Sequence, residues 1–299
     1  MRILLLGKDG QVGWELQRAL APLGEVVAPG RGDTGSLAGD LGRPEALAGT
    51  VRTVAPDVIV NAAAYTAVDR AESEPEAAHA INALAPGVLA REAASLGAWL
   101  VHYSTDYVFD GSGNDPWAED SPTGPLNVYG RTKLEGERHI RASGCRHLIF
   151  RTSWVYAARG GNFARTMLRL AEERDSLRVI DDQFGAPTGA ELIADVTAHA
   201  LRAARTDVGL AGTYHLAAAG ETTWHGYARH VITRARQAGR ATRAGPDAIL
   251  PITTDEFPTP ARRPGNSRLD TSRLREAFDL VLPHWTTGVD RMLAELLDR

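Results

Sequence analysis

Short runs of apolar residues without polar alternation recur through the first half of the chain, separated by longer stretches rich in alanine and leucine. A strand with one face in water alternates apolar and polar residues, so these runs indicate strands that are covered on both faces. We therefore expect an α/β fold, a doubly wound parallel sheet. The predicted elements are strands at 2–6, 25–28, 57–61, 98–103 and 146–151 and helices at 11–22, 44–54, 75–96 and 127–142.

After about residue 155 the pattern loosens, and loops rich in glycine, proline and arginine separate the apolar stretches. Helices are predicted here at 162–174, 189–204, 224–238 and 285–298. We expect a first domain over 1–155, to which residues 188–218 return. A smaller C-terminal lobe, formed by 156–187 and 219–299, is expected to bind the substrate.

Composition excludes several classes of partner. The net charge is −4, which gives no reason to expect a nucleic acid or an anionic membrane as a partner. The single Cys145 excludes an internal disulfide framework and suits a reducing compartment. The apolar run at residues 3–6 is too short for a signal sequence or a membrane span. These features together predict a cytoplasmic protein.

A glycine-rich loop, Gly7-Lys8-Asp9-Gly10-Gln11-Val12-Gly13, follows the first predicted strand and opens the first helix. Glycines permit a close approach of the backbone, and a helix N-terminus offers free N–H groups to a pyrophosphate. The spacing G-x-x-G-x-x-G differs from the usual dinucleotide fingerprint, and a plain tight turn is the alternative. Its position predicts that domain 1–155 binds a dinucleotide.

The segment after the second predicted strand should determine whether the protein prefers NADH or NADPH. An acidic residue there binds the ribose 2′-hydroxyl of NAD, whereas an arginine suits the 2′-phosphate of NADP. Arg31 lies near the expected place and Asp33 comes slightly later, which favours NADPH over NADH. A solvated loop charge is the alternative for Arg31. Asp40 and Leu41 are candidates for adenine contacts, with a helix N-terminal region as the alternative.

Only two of the 33 basic side chains are lysines, Lys8 and Lys133. Lys133 follows Tyr129 by four residues in a predicted helix, so both side chains lie on one face. Thr105 follows the strand at 98–103, and the carboxyl ends of parallel strands face the ligand crevice. A tyrosine can protonate a carbonyl oxygen as hydride arrives, and a nearby ammonium lowers its pKa. Arginine would keep the charge but would not readily relay a proton.

These motifs resemble the extended short-chain dehydrogenase/reductase superfamily, and longer runs resemble the dTDP-4-dehydrorhamnose reductases within it. The resemblance implies a Rossmann-type fold and NAD(P)H-dependent reduction of the C4 keto group of dTDP-4-dehydro-L-rhamnose to dTDP-L-rhamnose, the last step of dTDP-rhamnose biosynthesis. The runs that carry it lie at residues 7–16, 61–69, 104–109, 151–156, 182–188 and 258–264.

The resemblance also implies roles for residues at matching positions. Thr105, Tyr129 and Lys133 would be catalytic, and Asp106 and Trp154 would contact the sugar nucleotide. In part of the family Mg²⁺ bridges a dimer through glutamates, so a homodimer and a bound ion are further expectations. The implied cofactor contacts are Gly7, Gly10, Gln11, Val12, Gly13, Arg31, Asp40, Leu41, Ala64, Tyr65 and Thr66, together with Tyr129 and Lys133. The implied metal ligands are Glu15, Glu191 and Glu295.

Three other functions compete. A dehydratase of the superfamily carries Asp-Glu directly after the strand-end threonine, whereas Tyr107 follows Asp106 here. An epimerase would need no net hydride from solution. A non-catalytic regulatory subunit would bind a partner enzyme, although the intact Thr105, Tyr129 and Lys133 weigh against it. Family members often carry histidine where Tyr65 stands and sometimes aspartate near Gly30, and the second departure leaves the use of NADH open.

Overall fold

The structure, a computed structural model, describes residues 1–33 and 37–297. Its strands are β1 Arg2–Leu6, β2 Glu25–Val27, β3 Val58–Asn61, β4 Trp99–Thr105, β5 Arg146–Thr152, β6 Val155–Tyr156, β7 Leu177–Ile180, β8 Phe184–Gly185, β9 Thr188–Gly189, β10 Gly212–His215, β11 Thr222–Thr223 and β12 Ile249–Ile252. Its α-helices are α1 Gln11–Leu20, α2 Pro44–Val54, α3 Val68–Ala71, α4 Pro75–His79, α5 Ala85–Leu96, α6 Val128–Ala142, α7 Phe163–Glu173, α8 Ala190–Thr206, α9 Trp224–Gln237, α10 Ser272–Phe278 and α11 Trp285–Leu297.

The central sheet has six strands in the order β10-β5-β4-β3-β1-β2, and every neighbouring pair is parallel. The predicted α/β fold with a parallel sheet is therefore confirmed. The chain runs outward in one direction from β1 and in the other from β3. Ligands of such sheets bind outside the carboxyl ends of the strands at this reversal. The β1–α1 loop and the residues after β3 flank that point.

Apolar cores cover both faces of the sheet. On one face Leu5 of β1 packs with Leu16 of α1 and Ile193 of α8. On the other face Leu4 of β1 packs with Leu47 of α2, together with residues of α5. Each fully buried leucine of this kind stabilises the fold by roughly 2 kcal/mol relative to exposure. Burial on two faces is the reason that the strands are uniformly apolar.

A further apolar cluster lies among the later elements. It joins Met167 of α7, Tyr227 and Val231 of α9 and Val289 of α11, beside the parallel pair β7 and β12. The segment 188–218 contributes α8, which packs on α1, and β10, which pairs with β5. The expected division into two domains, with its boundaries, stays a prediction.

The predicted helix at 75–96 differs from the structure. It is divided into α4 and α5 by a π-helical turn at Ala80–Leu84. Pro86 has no N–H with which to bond the carbonyl of Asn82 four residues earlier, so the regular ladder is interrupted there. The side-chain amide of Asn82 also bonds the backbone of Tyr65 at 2.9 and 3.0 Å. Asn82, which lies in this π-helical turn, thus holds the loop that follows β3.

Most other predicted helices agree with the structure to within about two residues. Asn127 caps α6 by accepting from Gly130 N at 2.8 Å, and Thr223 caps α9 by accepting from Gly226 N at 3.0 Å. The last residue of the predicted helix at 285–298 lies outside the described residues. Among the helices that the structure describes, none combines the length and apolar character that crossing a bilayer requires.

Candidate active site

A cleft of about 860 Å³ opens at the carboxyl ends of the sheet strands. Its walls come from the β1–α1 loop, the segments after β2 and β3, the end of β4 and the start of α6. Gly13 and Tyr65 do not line it. The residues expected from the sequence that do are Gly7, Gly10, Gln11, Val12, Arg31, Asp40, Leu41, Ala64, Thr66, Thr105, Asp106, Tyr129, Lys133 and Trp154.

The glycines of the β1–α1 loop hold the backbone close to its neighbours. Gly7 has φ +86°, and a Cβ there would lie 2.7 Å from Ala63 N. A Cβ at Gly13 would lie 1.9 Å from Gly7 O, so Gly13 serves the packing of α1 on the loop. Gly10 precedes α1 and has no side chain to cap it, so the first N–H groups of the helix remain available to a pyrophosphate. The loop therefore suits a dinucleotide.

Arg31 and Asp40 face each other at the cleft wall formed by the segment after β2. Arg31 Nε lies 3.7 Å from Asp40 Oδ1, and the arginine side chain is 81% exposed. Asp33 turns back into its own loop, where its Oδ2 accepts from Gly30 N at 2.6 Å. The group at the cleft wall is therefore the guanidinium of Arg31 and not the carboxylate of Asp33. A cation at this place suits a phosphate on the ribose.

Tyr65 lies beside the cleft but points away from it. Its hydroxyl donates to Glu74 Oε2 at 2.6 Å, and this hydrogen bond raises the pKa of Tyr65. Its contact with a cofactor stays a prediction.

The three expected catalytic residues meet at the bottom of the cleft. Thr105 ends β4, and Tyr129 and Lys133 lie on the first turns of α6. A Cβ at Gly130 would lie 2.2 Å from Tyr107 O, so this glycine lets α6 approach the turn after β4. The ring of Tyr107 packs edge-on against Tyr129 with centroids 5.5 Å apart.

The electrostatics of Tyr129 differ from the expectation. Burial raises its pKa to about 12, a rise that the Thr105 hydroxyl opposes and the Asp106 carboxylate increases. The lysine that was expected to lower it has other partners. Lys133 Nζ lies 2.5 Å from Tyr103 O and 3.2 Å from His102 Nε2. A buried amino group requires such partners, and these hold it below the phenol.

Asp106 has the environment of a group that titrates near neutral pH. It is 2% exposed, and burial raises its pKa to about 7, a rise that the neighbouring hydroxyls of Ser267 and Thr105 oppose. Thr105 Oγ1 donates to Asp106 Oδ1 at 3.1 Å and accepts from Tyr107 N at 3.2 Å. Asp106 Oδ2 has no hydrogen-bond partner within the described residues. An unpaired buried oxygen beside the cleft is suited to a sugar hydroxyl.

Trp154 closes the opposite side of the cleft. Its backbone is in the left-handed region at φ +49°, which is uncommon for a bulky residue. Its ring stacks on Trp224 with centroids 3.7 Å apart, and a Cβ at Gly185 would lie 2.8 Å from that ring. The strained backbone thus presents an aromatic surface to the cleft.

The implied metal ligands lie near one another but face guanidinium groups. Arg18 Nε lies 3.4 Å from Glu15, and Arg291 Nε lies 3.4 Å from Glu191 and 3.7 Å from Glu295. Burial raises the pKa of Glu191, against Arg291 and with the help of the other two carboxylates. Across residues 1–33 and 37–297, no group of three or more His, Cys, Asp or Glu is placed to hold a metal ion. The arrangement does not fit Mg²⁺ within one chain.

Trp224 and Arg159 also line the cleft, and His102 lies directly beneath it. None of these three residues was predicted from the sequence. Trp224 reaches the cleft through a contact between residues 70 positions apart, which spacing does not reveal. The available signal for His102 was a polar residue inside an otherwise apolar strand.

The comparisons with known proteins agree with this geometry. A family model described as "RmlD substrate binding domain" matches residues 1–298. The dTDP-4-dehydrorhamnose reductase of Escherichia coli K12 is 58% identical over 296 residues, covering 99% of this chain and 98% of that protein. The protein of the same name from Burkholderia thailandensis is 49% identical over 303 residues, covering 100% of both.

Solved structures of such reductases are similar over their whole length. The protein from Clostridium acetobutylicum has a TM-score of 0.88 at 34% identity and covers 100% of both chains. The protein from Bacillus anthracis, solved in complex with NADP, has a TM-score of 0.86 at 32% identity, covering 98% of this chain and 99% of that chain.

Proposed function

The chain belongs to the dTDP-4-dehydrorhamnose reductase family, and on this premise we propose that it reduces the C4 keto group of dTDP-4-dehydro-L-rhamnose with NAD(P)H. The product is dTDP-L-rhamnose, and the step is the last of dTDP-rhamnose biosynthesis. The observation that carries the proposal is that Thr105, Tyr129 and Lys133 line one cleft with the glycine loop of residues 7–13.

The residues of the β1–α1 loop bind the cofactor. The free N–H groups at the start of α1 donate hydrogen bonds to the pyrophosphate, and the glycines leave the space that side chains would fill. The bound dinucleotide supplies the hydride. Asp40 and Leu41 line the place for the adenine, and Ala64 and Thr66 line the wall after β3.

Tyr129 is the general acid. Because its pKa is about 12, the phenol is protonated at neutral pH and gives its proton to the substrate oxygen as negative charge develops there. The resulting phenolate needs a cation, which Lys133 on the same face of α6 provides. Thr105 orients the carbonyl oxygen by a hydrogen bond, for which its hydroxyl turns from Asp106 to the substrate. Asp106 and Trp154 bind the sugar nucleotide.

NADPH is the proposed reductant in preference to NADH. Arg31 supports this choice, because a guanidinium at the cleft wall pairs with a 2′-phosphate and offers nothing specific to a 2′-hydroxyl. The NADP complex of the B. anthracis relative supports it independently. Magnesium has no step in this proposal, since the glutamates that would hold it face arginines.

We further propose that segments 156–187 and 219–299 form the substrate-binding lobe, since Trp154, just before the first segment, and Trp224, near the start of the second, stack at the cleft. The single cysteine, Cys145, is buried and free, which supports a reducing compartment such as the cytoplasm. A homodimer stays a prediction.

The decisive experiment is product analysis from the dTDP-keto-sugar with NADPH and with NADH in parallel. We expect dTDP-L-rhamnose and the oxidation of one NADPH for each product molecule, with slower turnover on NADH. An interconverted keto-sugar without net oxidation would indicate an epimerase. Absence of turnover, with co-purification of a partner enzyme, would indicate a regulatory subunit. The matched control is Tyr129→Phe, which removes only the phenolic oxygen.

A further inference from the structure

Beneath the cleft, Asn61 and His102 form a chain of buried contacts with Lys133, and the proposed mechanism gives neither of these two residues a role. Asn61 ends β3, His102 lies in β4, and Lys133 reaches them from α6; each is at most 2% exposed. His102 Nδ1 lies 3.1 Å from Asn61 Nδ2, and His102 Nε2 lies 3.2 Å from Lys133 Nζ. The imidazole therefore connects the end of one strand to the catalytic lysine.

The backbone determines how this chain is protonated. Ala63 N donates to Asn61 Oδ1 at 3.2 Å, so the amide oxygen faces the backbone and the amide nitrogen faces His102. Because an amide nitrogen only donates, His102 Nδ1 must accept. The imidazole is neutral, since burial holds the pKa of His102 well below its usual value, and the charge of Lys133 lowers it further while the lysine is protonated. Its single proton is therefore on Nε2, facing Lys133.

This tautomer places one donor against another if Lys133 is an ammonium. A free amine has a lone pair that accepts from His102 Nε2–H and two N–H groups. One of these donates to Tyr103 O, 2.5 Å away, and the other remains for the cleft. The free amine satisfies every contact, whereas the ammonium leaves two hydrogens opposed.

We propose that His102, held in its Nε2–H tautomer by Asn61, is a positioning residue that stabilises Lys133 as the free amine and so makes it a proton donor to Tyr129. The inference rests on the proposed reduction. Tyr129 gives its proton to the substrate oxygen as the carbon receives hydride. Lys133 then gives a proton to the phenolate: its N–H bond breaks, the phenolic O–H bond forms, and the amine that results is the form that His102 favours. Solvent returns the proton to Lys133.

The charges around Lys133 support this role. Burial lowers the pKa of Lys133 to about 8, and Glu137, one turn further along α6, opposes that shift. Arg151 of β5 pairs with Glu137 and reduces its influence. On the cleft side the titratable residues of β4, of the turn after it and of the start of α6 are Tyr103, Asp106, Tyr107 and Tyr129. An amine that gains and loses its proton near working pH is suited to a relay.

The scarcity of lysine makes the test direct. Labelling lysine with ¹³C and ¹⁵N at the side-chain terminus yields two signals, and Lys8→Arg assigns them. The signal of Lys133 is titrated in wild type and in His102→Phe, which keeps the site apolar and removes the donor. We expect the midpoint to rise by about one pH unit in the variant. If Nε2 instead accepted from the ammonium, the midpoint would fall, and a fall or no change overturns the proposal.

Two further measurements complete the design. The ¹⁵N shifts of the His102 ring in wild type must report a proton on Nε2; a proton on Nδ1 overturns the proposal even if His102→Phe does not fold. The control is His147→Phe on β5, whose ring bonds Cys145 O and not Lys133, and which should leave the Lys133 midpoint unchanged.

Kinetics then connect the inference to the reaction. In His102→Phe the basic limb of the profile of kcat against pH should move to higher pH together with the titration midpoint of Lys133. KM for NADPH should stay within a few-fold of wild type. A purely structural role of His102 would leave the basic limb at the same pH. The spectra require no turnover. Absent reduction of the dTDP-keto-sugar would therefore reject the proposed function, whereas a wrong tautomer or midpoint would reject the role of His102.

Discussion

The buried ion pair between Glu137 and Arg151 connects α6 to β5 directly behind the catalytic residues. Arg151 donates from Nε and Nη2 to the two oxygens of Glu137 at 2.9 and 2.7 Å. The side chain of Arg151 is 3% exposed and that of Glu137 is 0% exposed. Replacing Glu137 by glutamine keeps the shape but leaves a buried guanidinium without its counter-charge. Removal of one partner from such a pair costs about 3–5 kcal/mol. We expect Glu137→Gln to lower the free energy of unfolding by about 3 kcal/mol.

A matched surface pair provides the control. Arg169 and Glu173 on α7 also form an ion pair, in which Arg169 Nη1 donates to both carboxylate oxygens at 3.1 and 2.9 Å, but their side chains are 59% and 52% exposed. Glu173→Gln should change the free energy of unfolding by less than about 1 kcal/mol. Both variants remove one negative charge, but Glu137 also accepts from Arg141 Nη1 at 3.0 Å, so the difference between them reports burial together with that second contact. Urea unfolding followed by circular dichroism measures it, and equal effects of the two variants would refute the reasoning.

The ion pair of Glu137 and Arg151 also predicts how the free energy of unfolding depends on pH. Burial alone would raise the pKa of Glu137, but the hydrogen bonds and charge of Arg151, together with hydrogen bonds from Ser104 and Arg141, lower that pKa in the folded state. A lowered pKa means that the folded state releases this proton more readily than the unfolded state does. Its contribution is therefore complete above the unfolded value of about 4.3 and is lost as pH falls toward the folded value. The stability gap between wild type and Glu137→Gln should narrow over that acidic range.

Four further variants test the cleft. Tyr129→Phe should reduce kcat by at least about 100-fold, measured by steady-state turnover, and leave NADPH affinity within a few-fold, measured by cofactor titration. Lys133→Arg should also be strongly impaired in the same assay, because a guanidinium does not readily relay a proton; near-wild-type activity would contradict that role. Arg31→Ala should raise KM for NADPH by about 10-fold and leave KM for NADH within about two-fold, which steady-state kinetics can decide. Gly13→Ala, whose Cβ would meet Gly7 O, should weaken both cofactors and destabilise the protein by about 1–3 kcal/mol; unchanged thermal unfolding would contradict the packing argument.

Much of the sheet could be predicted because its strands are buried on both faces, so residues 3–6 of β1, 58–60 of β3 and 99–101 of β4 are apolar without interruption. The short strands β6, β8, β9 and β11 could not, since two residues carry no periodicity. The division of the helix at 75–96 depended on Pro86, a proline in the interior of a helical pattern, and was readable in principle.

In the cleft, spacing along the chain predicted which residues meet but not how they are oriented. The four-residue interval from Tyr129 to Lys133 placed both on one face of α6. It could not show that Lys133 turns to His102 and Tyr103, because those partners belong to another strand. Tyr65 likewise does not line the cleft, and its hydroxyl turns to Glu74. Side-chain direction depends on tertiary neighbours, which one sequence does not specify.

The last strand of the sheet, β10, is contributed by residues 212–215 and pairs with β5, while α8 covers α1. A nascent polypeptide leaving the ribosome therefore exposes an open hydrogen-bonding edge on β5 until this distant stretch has been synthesised. Such an edge invites association with other incomplete chains. Premature termination anywhere before β10 should consequently yield aggregates and proteolysis in place of a working half-enzyme.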